Sequence, residues 1–131
     1  YGPKKLHVIY KHLPLPMHPD ARPAAEAAMC VNAQGVDKFW KFHDMLFDHQ
    51  DKLSESDLSA YAKQVGADVK NFESCFKAKK YSAQIDANMM EAQKFGVNST
   101  PAFFVNGYPV QGARELEVFQ DLIDEALAAK N

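Results

Sequence analysis

The sequence predicts one mixed α/β domain with a long helical insertion. A short apolar, β-branched run stands near the start of the chain, five segments with helical spacing follow it, and an apolar run with a hairpin turn comes after them. Strands on both sides of a helical block indicate one α/β domain. A length of 131 residues is enough for one domain and too short for two. The predicted order is one strand, five helices, a β-hairpin and a C-terminal helix.

Composition and charge exclude two classes of partner. The formal net charge is -2, and nucleic-acid binders usually carry a clustered basic face, so we expect no nucleic-acid partner. No apolar run approaches the roughly 18 residues of a membrane helix, so we expect no membrane span. The chain opens with Tyr1 rather than Met. We interpret it as a processed or cut product, so the lack of a signal peptide does not bear on the location of the parent protein.

The first two elements are a strand and a helix separated by a proline-rich loop. Leu6–Tyr10 is apolar and β-branched, which is typical of a strand. Leu13–Pro19 contains three prolines, which remove backbone donors and favour a loop. The alanine-rich segment that follows predicts a helix, with Asp20 as its N-cap and Gly35 at its end.

The middle of the chain predicts four more helices. Apolar and aromatic side chains in Phe39–Phe47 recur at helical spacing. Ser54 with Asp57 resembles a capping box at the start of the next helix. Asp68 caps a short fourth helix, and Tyr81–Phe95 forms a longer fifth one.

The last third of the chain predicts a hairpin and a helix. Ala102–Val105 reads as a strand, and Asn106-Gly107 is a strong signal for a two-residue turn that needs positive φ. Tyr108–Gln111 is the return strand, in which Pro109 indicates an edge position because proline cannot donate to a ladder. Leu116–Leu127 carries apolar residues at helical spacing.

Three segments together resemble the DsbA-like thioredoxin family. They are NSTPAFFVNGYPVQGA, VIYKHLPLPMHPDARPAAEAA and DKFWKFHDMLFDHQDKLSESDLSAYAKQVG. The resemblance runs from about Lys4 to Leu127. It implies a thioredoxin-like fold, with residues 1–131 forming part of one such domain and residues 19–96, approximately, forming its helical insert.

The resemblance also implies a substrate-docking site at Ser99, Thr100 and Pro101. In this family the peptide bond before the proline is cis, and the preceding residue offers its main chain to an extended substrate strand. Taken alone, Ser-Thr-Pro is also a common strand-entry turn, so the assignment depends on the rest of the resemblance.

The activity implied by the family is thiol–disulfide exchange through a mixed disulfide. Its C-x-x-C motif is missing from this sequence. We therefore expect the parent protein to be an oxidoreductase, this chain to hold no catalytic residue and to be inactive alone, and no cofactor to be involved. The expected partners are cysteine-containing client proteins or a redox partner protein. The expected location is extracytoplasmic, in the bacterial periplasm or cell envelope.

Two alternatives to the oxidoreductase stay open. One is a non-catalytic domain that binds peptides beside Pro101. The other is a glutathione-dependent isomerase or transferase relative with a thioredoxin-like fold and no C-x-x-C motif. Residues upstream of Tyr1 discriminate among the three. C-x-x-C would favour the oxidoreductase, a serine variant would favour the glutathione-dependent relative, and neither would favour the peptide-binding domain.

The family places a further strand between Leu6–Tyr10 and Ala102–Val105, and this chain lacks it. Its absence would leave backbone donors and acceptors unpaired on both neighbours. We hypothesise three remedies. An upstream segment associates, the two neighbours close up, or a second copy fills the gap as a homodimer or a strand-swapped assembly.

Cys30 and Cys75 have three interpretations. Some DsbA-like proteins carry a second cysteine pair in this region, which implies a structural disulfide; two buried thiols and a redox-active pair are the alternatives. The five histidines match no zinc-ligand spacing, so the sequence predicts no metal site.

Overall fold

The computed structural model describes residues 1–129 as six helices and two strands. The predicted order of five helices, a hairpin and a final helix is confirmed. The elements in chain order are α1 (Ala21–Asn32), α2 (Val36–Asp48), α3 (Glu55–Gln64), α4 (Val69–Lys77), α5 (Ser82–Lys94), β1 (Ala102–Val105), β2 (Tyr108–Gln111) and α6 (Leu116–Ala128).

The chain divides into two compact units. One is the helical unit His12–Glu91, and the other is the hairpin unit, which comprises Tyr1–Lys11 and the chain from Ala92 onward. The predicted bounds of the insert, 19–96, and of the domain, 1–131, stay predictions, and residues 130 and 131 lie outside the described part of the chain.

The core of the helical unit is built around α1, which packs against α2, α3 and α4. Ala27 and Ala28 are buried on α1, and their small side chains let the neighbouring helices approach closely. Bulky side chains fill the space between the helices. Those with no exposed surface are Val31, Phe42, Leu58, Phe72 and Ile85.

Arg22 ties the start of α5 to α1. Its Nη1 donates to Asp86 Oδ1 at 2.6 Å, and its Nη2 donates to Ser82 Oγ at 2.6 Å and to the Ser82 carbonyl at 3.1 Å. Its Nε donates to Oε1 of Glu26 at 3.1 Å. Glu26 is only 4% exposed, so the guanidinium neutralises a carboxylate that would be costly to bury alone.

Local capping agrees with the sequence at two helices and differs at one. Ser54 and Asp57 form the predicted capping box, and Asp68 accepts a hydrogen bond from the Asn71 N–H at 2.8 Å. Asp20 occupies the N-cap position of α1, but its side chain makes no capping hydrogen bond. The reason is its backbone: Asp20 has αR torsions, whereas an N-cap that bonds its own helix is usually extended.

The hairpin unit contains an antiparallel ladder that closes with the predicted turn. Asn106 and Gly107 have φ of 49° and 90°, as a type I′ turn requires, and they place Val105 opposite Tyr108. On the α6 side, the rings of Phe103 and Phe119 lie 4.9 Å apart, edge to face.

The prediction of a strand at Leu6–Tyr10 is wrong. This segment has no strand structure, and Val8 and Ile9 are 63% and 70% exposed. A strand exists through its hydrogen bonds to a neighbour, and within residues 1–129 the sheet has only β1 and β2. The β-branched composition therefore has no ladder to join.

A disulfide joins Cys30 of α1 to Cys75 of α4, with their Cα atoms 5.9 Å apart. It links two helices of one core, and Cys30 is 2% exposed. The structure thus selects the bonded pair over two free thiols.

We predict that removing this disulfide costs stability. The pair spans 45 residues, and closing a loop of that length contributes about 4 kcal/mol on the chain-entropy model. Urea unfolding of Cys75→Ala should show a decrease in the free energy of unfolding of that order. The addition of reductant should shift the wild-type midpoint in the same direction. Equal stability of oxidised and reduced wild-type chains would contradict a stabilising role.

Candidate functional site

The predicted docking residues form an exposed loop that leads into β1. Ser99, Thr100 and Pro101 are all exposed, and the Thr100–Pro101 peptide bond is cis. The Pro101 carbonyl accepts a hydrogen bond from the Gly112 N–H at 2.9 Å, so the loop is fixed to the end of the hairpin. Within residues 1–129, the main-chain N–H and C=O of Thr100 have no hydrogen-bond partner.

The outer edge of β1 is open. Val105 and Tyr108 flank the turn, and their main chains bond to each other. Because bonded and unbonded positions alternate along an antiparallel ladder, the main-chain N–H and C=O of Phe103 point toward β2. Those of Ala102 and Phe104 point away from it. In the part of the chain that the structure describes, β1 pairs with β2 alone. An unpaired edge of this kind is a template for an added strand.

The outer edge of β2 is partly capped. Pro109 has no N–H to offer, and the outward carbonyl of Gln111 accepts a hydrogen bond from Arg114 Nε at 3.2 Å. Of the four outward main-chain groups that Pro109 and Gln111 would offer, one N–H is therefore absent and one carbonyl is occupied. The two edges of the hairpin consequently differ in what they can bind.

Aromatic side chains lie on both faces beside the open edge. Phe104 contacts Phe95 with ring centroids 6.0 Å apart, and Phe103 contacts Phe119 on the opposite face. Phe103 and Phe104 are still 41% and 50% exposed. An extended segment beside β1 would meet apolar surface on either face.

The cysteines supply no reactive thiol. Cys30 and Cys75 are bonded to each other, and residues 1–129 contain no free cysteine. The nucleophile of thiol–disulfide exchange is a thiolate. The bonded pair of Cys30 and Cys75 therefore presents no thiolate for attack on a disulfide.

The histidines form no metal centre in the described residues, where no three potential ligands cluster. His12 is instead a packing residue. Its ring meets Phe39 edge-on at 6.4 Å, and its backbone N–H donates to Asn88 Oδ1 at 2.9 Å. Burial, and secondarily the charge of His43, lowers the pKa of His12 from 6.5 to about 4.

Comparison with known families defines the class of the molecule. The family model described as Thioredoxin matches residues 2–125. The chain belongs to this thioredoxin family, and its mixed α/β architecture is a thioredoxin-like fold.

Individual relatives carry a different name. The chain is 35% identical over 122 residues to Na(+)/H(+) antiporter NhaA 3 of Salinispora tropica, covering 92% of this chain and 18% of that protein. It is 34% identical over 124 residues to Na(+)/H(+) antiporter NhaA 1 of Salinispora arenicola, covering 94% and 19%. The chain thus spans less than a fifth of the length of these curated relatives. No solved structure matches it significantly. No helix in residues 1–129 has the length and hydropathy of a membrane span.

The sequence did not reveal the contact that distinguishes the two edges, because the bond from Arg114 to the Gln111 carbonyl depends on side-chain direction. The same holds in the helical unit for the clamp of Arg22 on α5. Pro109 was the one signal available, since a proline in a strand indicates a modified edge.

We predict that His12 makes the helical unit sensitive to acid. Its pKa is about 4 in the folded chain, below the ordinary histidine value of 6.5, so at a pH between these two values the unfolded chain binds more protons than the folded chain. Stability should therefore fall as the pH drops from about 6.5 to about 4, and this contribution should level off below. The loss is of order 3 kcal/mol at about 1.4 kcal/mol per pKa unit.

The free energy of unfolding is measured with urea between about pH 4 and 8. The wild-type chain is compared with His12→Phe, which keeps an aromatic ring. The variant should have the shallower pH dependence. Parallel curves would show that His12 does not control it.

Proposed function

We propose that this chain is the substrate-docking part of a DsbA-type thiol–disulfide oxidoreductase. The observation that carries the proposal is the exposed Ser99–Pro101 loop, which leads directly into a strand whose outer edge is open. Membership of the thioredoxin family supports it. The nucleophile would come from a C-x-x-C segment outside this chain.

In the proposed reaction, a client thiolate attacks one sulfur of the enzyme's C-x-x-C disulfide and forms a mixed disulfide. A second client thiolate then attacks the client sulfur of that bond and releases the first enzyme cysteine as a thiolate. The client gains a disulfide, and the enzyme pair takes up the two electrons as a dithiol. This chain contributes none of the reacting sulfurs, so its role is to hold the client backbone in place.

Docking would use β-augmentation. The free N–H and C=O of Thr100 can pair with one residue of an extended client segment, which fixes the position of a neighbouring client cysteine. Because main-chain bonds carry no sequence information, such a site would accept many clients. The neighbouring Phe104 would add a preference for apolar side chains.

The proposed location is outside the cytoplasm, in the periplasm or cell envelope. The Cys30–Cys75 disulfide supports it, since structural disulfides persist in oxidising compartments. The proposed partners are cysteine-containing clients or a redox partner protein. The sheet would be completed by an associated upstream segment or by a second copy of the chain.

A second candidate rests on the relatives. The two antiporters from Salinispora match nearly the whole chain with less than a fifth of their own length. The chain could then be a thioredoxin-fold domain attached to such an antiporter, where it acts as a binding domain without catalysis. A glutathione-dependent relative is the third candidate. Sequencing the reading frame upstream of Tyr1 separates the three candidates. C-x-x-C would support the oxidoreductase, a serine variant would support the glutathione-dependent relative, and membrane helices without either motif would support the antiporter domain.

We predict that the chain alone has no redox activity. In an insulin-turbidity assay with dithiothreitol it should not exceed the uncatalysed rate, and it should not oxidise a dithiol peptide. The reason is that its cysteines form a structural link between α1 and α4, where Cys30 is only 2% exposed, so a client thiolate cannot reach this disulfide. Clear activity that is lost in Cys30→Ser would make this pair the redox centre and overturn the proposal.

We predict that docking uses the β1 edge. An N-acetylated, C-amidated and alkylated client peptide should shift the amide resonances of Thr100, Ala102 and Phe104 in a titration followed by NMR. Ala102→Pro removes an outward N–H that the hairpin does not use, and losing one hydrogen bond should weaken binding about three- to tenfold.

Pro109→Ala is the matched control on the other edge and should bind as the wild type does. Shifts confined to β2, or unchanged binding by Ala102→Pro, would count against docking at β1.

A further inference from the structure

A second groove lies on the other side of the hairpin, between β2 and α6. Its volume is about 410 Å³, which is within the range of small-ligand sites. Val110, Val118 and Leu122 provide apolar surface, and Arg114 and Asp121 line the same groove. All of these residues belong to the hairpin unit. The groove does not involve the β1 edge that the proposed function uses.

The two charged residues in this groove form no ion pair within residues 1–129. Arg114 uses Nε to bind the Gln111 carbonyl, and within residues 1–129 its Nη atoms have no acceptor. Asp121 forms no ion pair in the same part of the chain. The bond to Gln111 fixes the guanidinium beside the end of β2 while leaving its Nη donors available for an anion.

The main chain of β2 offers one acceptor and one donor next to this guanidinium. The ladder alternation turns the Pro109 carbonyl and the Gln111 N–H outward, on either side of Val110. In a parallel ladder, a residue of one strand donates its N–H to a carbonyl of the neighbouring strand. Its own carbonyl accepts from the N–H two residues further along that neighbouring strand. A single ligand residue beside Val110 would satisfy both.

This pairing sets the direction of the ligand. A segment parallel to β2 has its C-terminal end toward Arg114. If the residue beside Val110 is the last one, one carboxylate oxygen accepts from the Gln111 N–H and the other faces the Arg114 Nη atoms. Its side chain lies on the same face as that of Val110, which is the face of α6, because Val110 pairs with Phe103 and Phe103 contacts Phe119.

We propose that this groove binds the free C-terminus of an extended peptide whose last residue is aliphatic. The carboxylate binds Arg114 and the Gln111 N–H, and the terminal side chain packs against Val118 and Leu122. Val118 is 40% exposed and therefore available for such a contact. Asp121 selects for a basic side chain in the peptide and against an acidic one.

The test uses the 131-residue chain labelled with nitrogen-15 and an N-acetylated hexapeptide that ends in leucine and carries one lysine. The free acid should shift the amides of Gln111, Arg114 and Val118. The C-amidated peptide should bind at least about tenfold more weakly, since it loses a charge-assisted contact. The amides of Ala102 and Phe104 should not respond, which separates this site from docking at β1.

Two variants with the same change of charge complete the test. Arg114→Gln should weaken binding of the free acid about tenfold. Lys94→Gln removes an exposed cation outside the groove and should have no effect. Equal binding of acid and amide by the wild type, unchanged binding by Arg114→Gln, or no shift at roughly 1 mM peptide would each overturn the proposal. The comparison of acid with amide on the wild type holds even if a variant folds poorly.

Discussion

The unpaired edge of β1 is the constraint on which the rest of the hairpin unit depends. Backbone N–H and C=O groups must be paired or solvated, and the outward groups of Ala102 and Phe104 have no partner within residues 1–129. The exposed Ser99–Pro101 loop runs straight into this edge. Whatever binds beside Thr100 therefore meets a strand already oriented to accept another. The opposite edge offers fewer groups, because Pro109 has no N–H and the Gln111 carbonyl is bonded to Arg114.

The helical unit contains most of the buried side chains of the described residues. α1 is surrounded by buried side chains, and the Cys30–Cys75 disulfide and the Arg22 clamp each join it to another helix. By contrast, no residue of α6 is buried in the described structure. Apolar surface concentrated beside an open edge is what a docking function requires and what a self-contained fold would cover.

The sequence predicted the features that local interactions determine. The capping box of Ser54 and the Asn106-Gly107 turn follow from side-chain and backbone preferences within a few residues. Leu6–Tyr10 was misassigned because a strand needs a neighbour that composition does not reveal. The pairing of Cys30 with Cys75 was suggested by family resemblance and not by spacing. The role of Arg114 could not be foreseen, because its contact with Gln111 depends on how the chain turns after β2.

Family membership and the named relatives cover different extents. The thioredoxin match covers residues 2–125 and fixes the class of the fold, while the antiporter relatives match the chain with less than a fifth of their own length. Both are compatible with a chain that binds an extended segment and contributes no thiol of its own.

Native-state hydrogen exchange of the isolated chain shows directly whether the β1 edge is unpaired. We expect the amides of Ala102 and Phe104 to exchange much faster than those of Phe103 and Val105, which bond to β2. An added strand should then slow the exchange of Ala102 and Phe104 selectively. If these two amides are as protected as Phe103 and Val105 in a chain shown to be monomeric, the β1 edge is already paired, and it cannot be the docking surface.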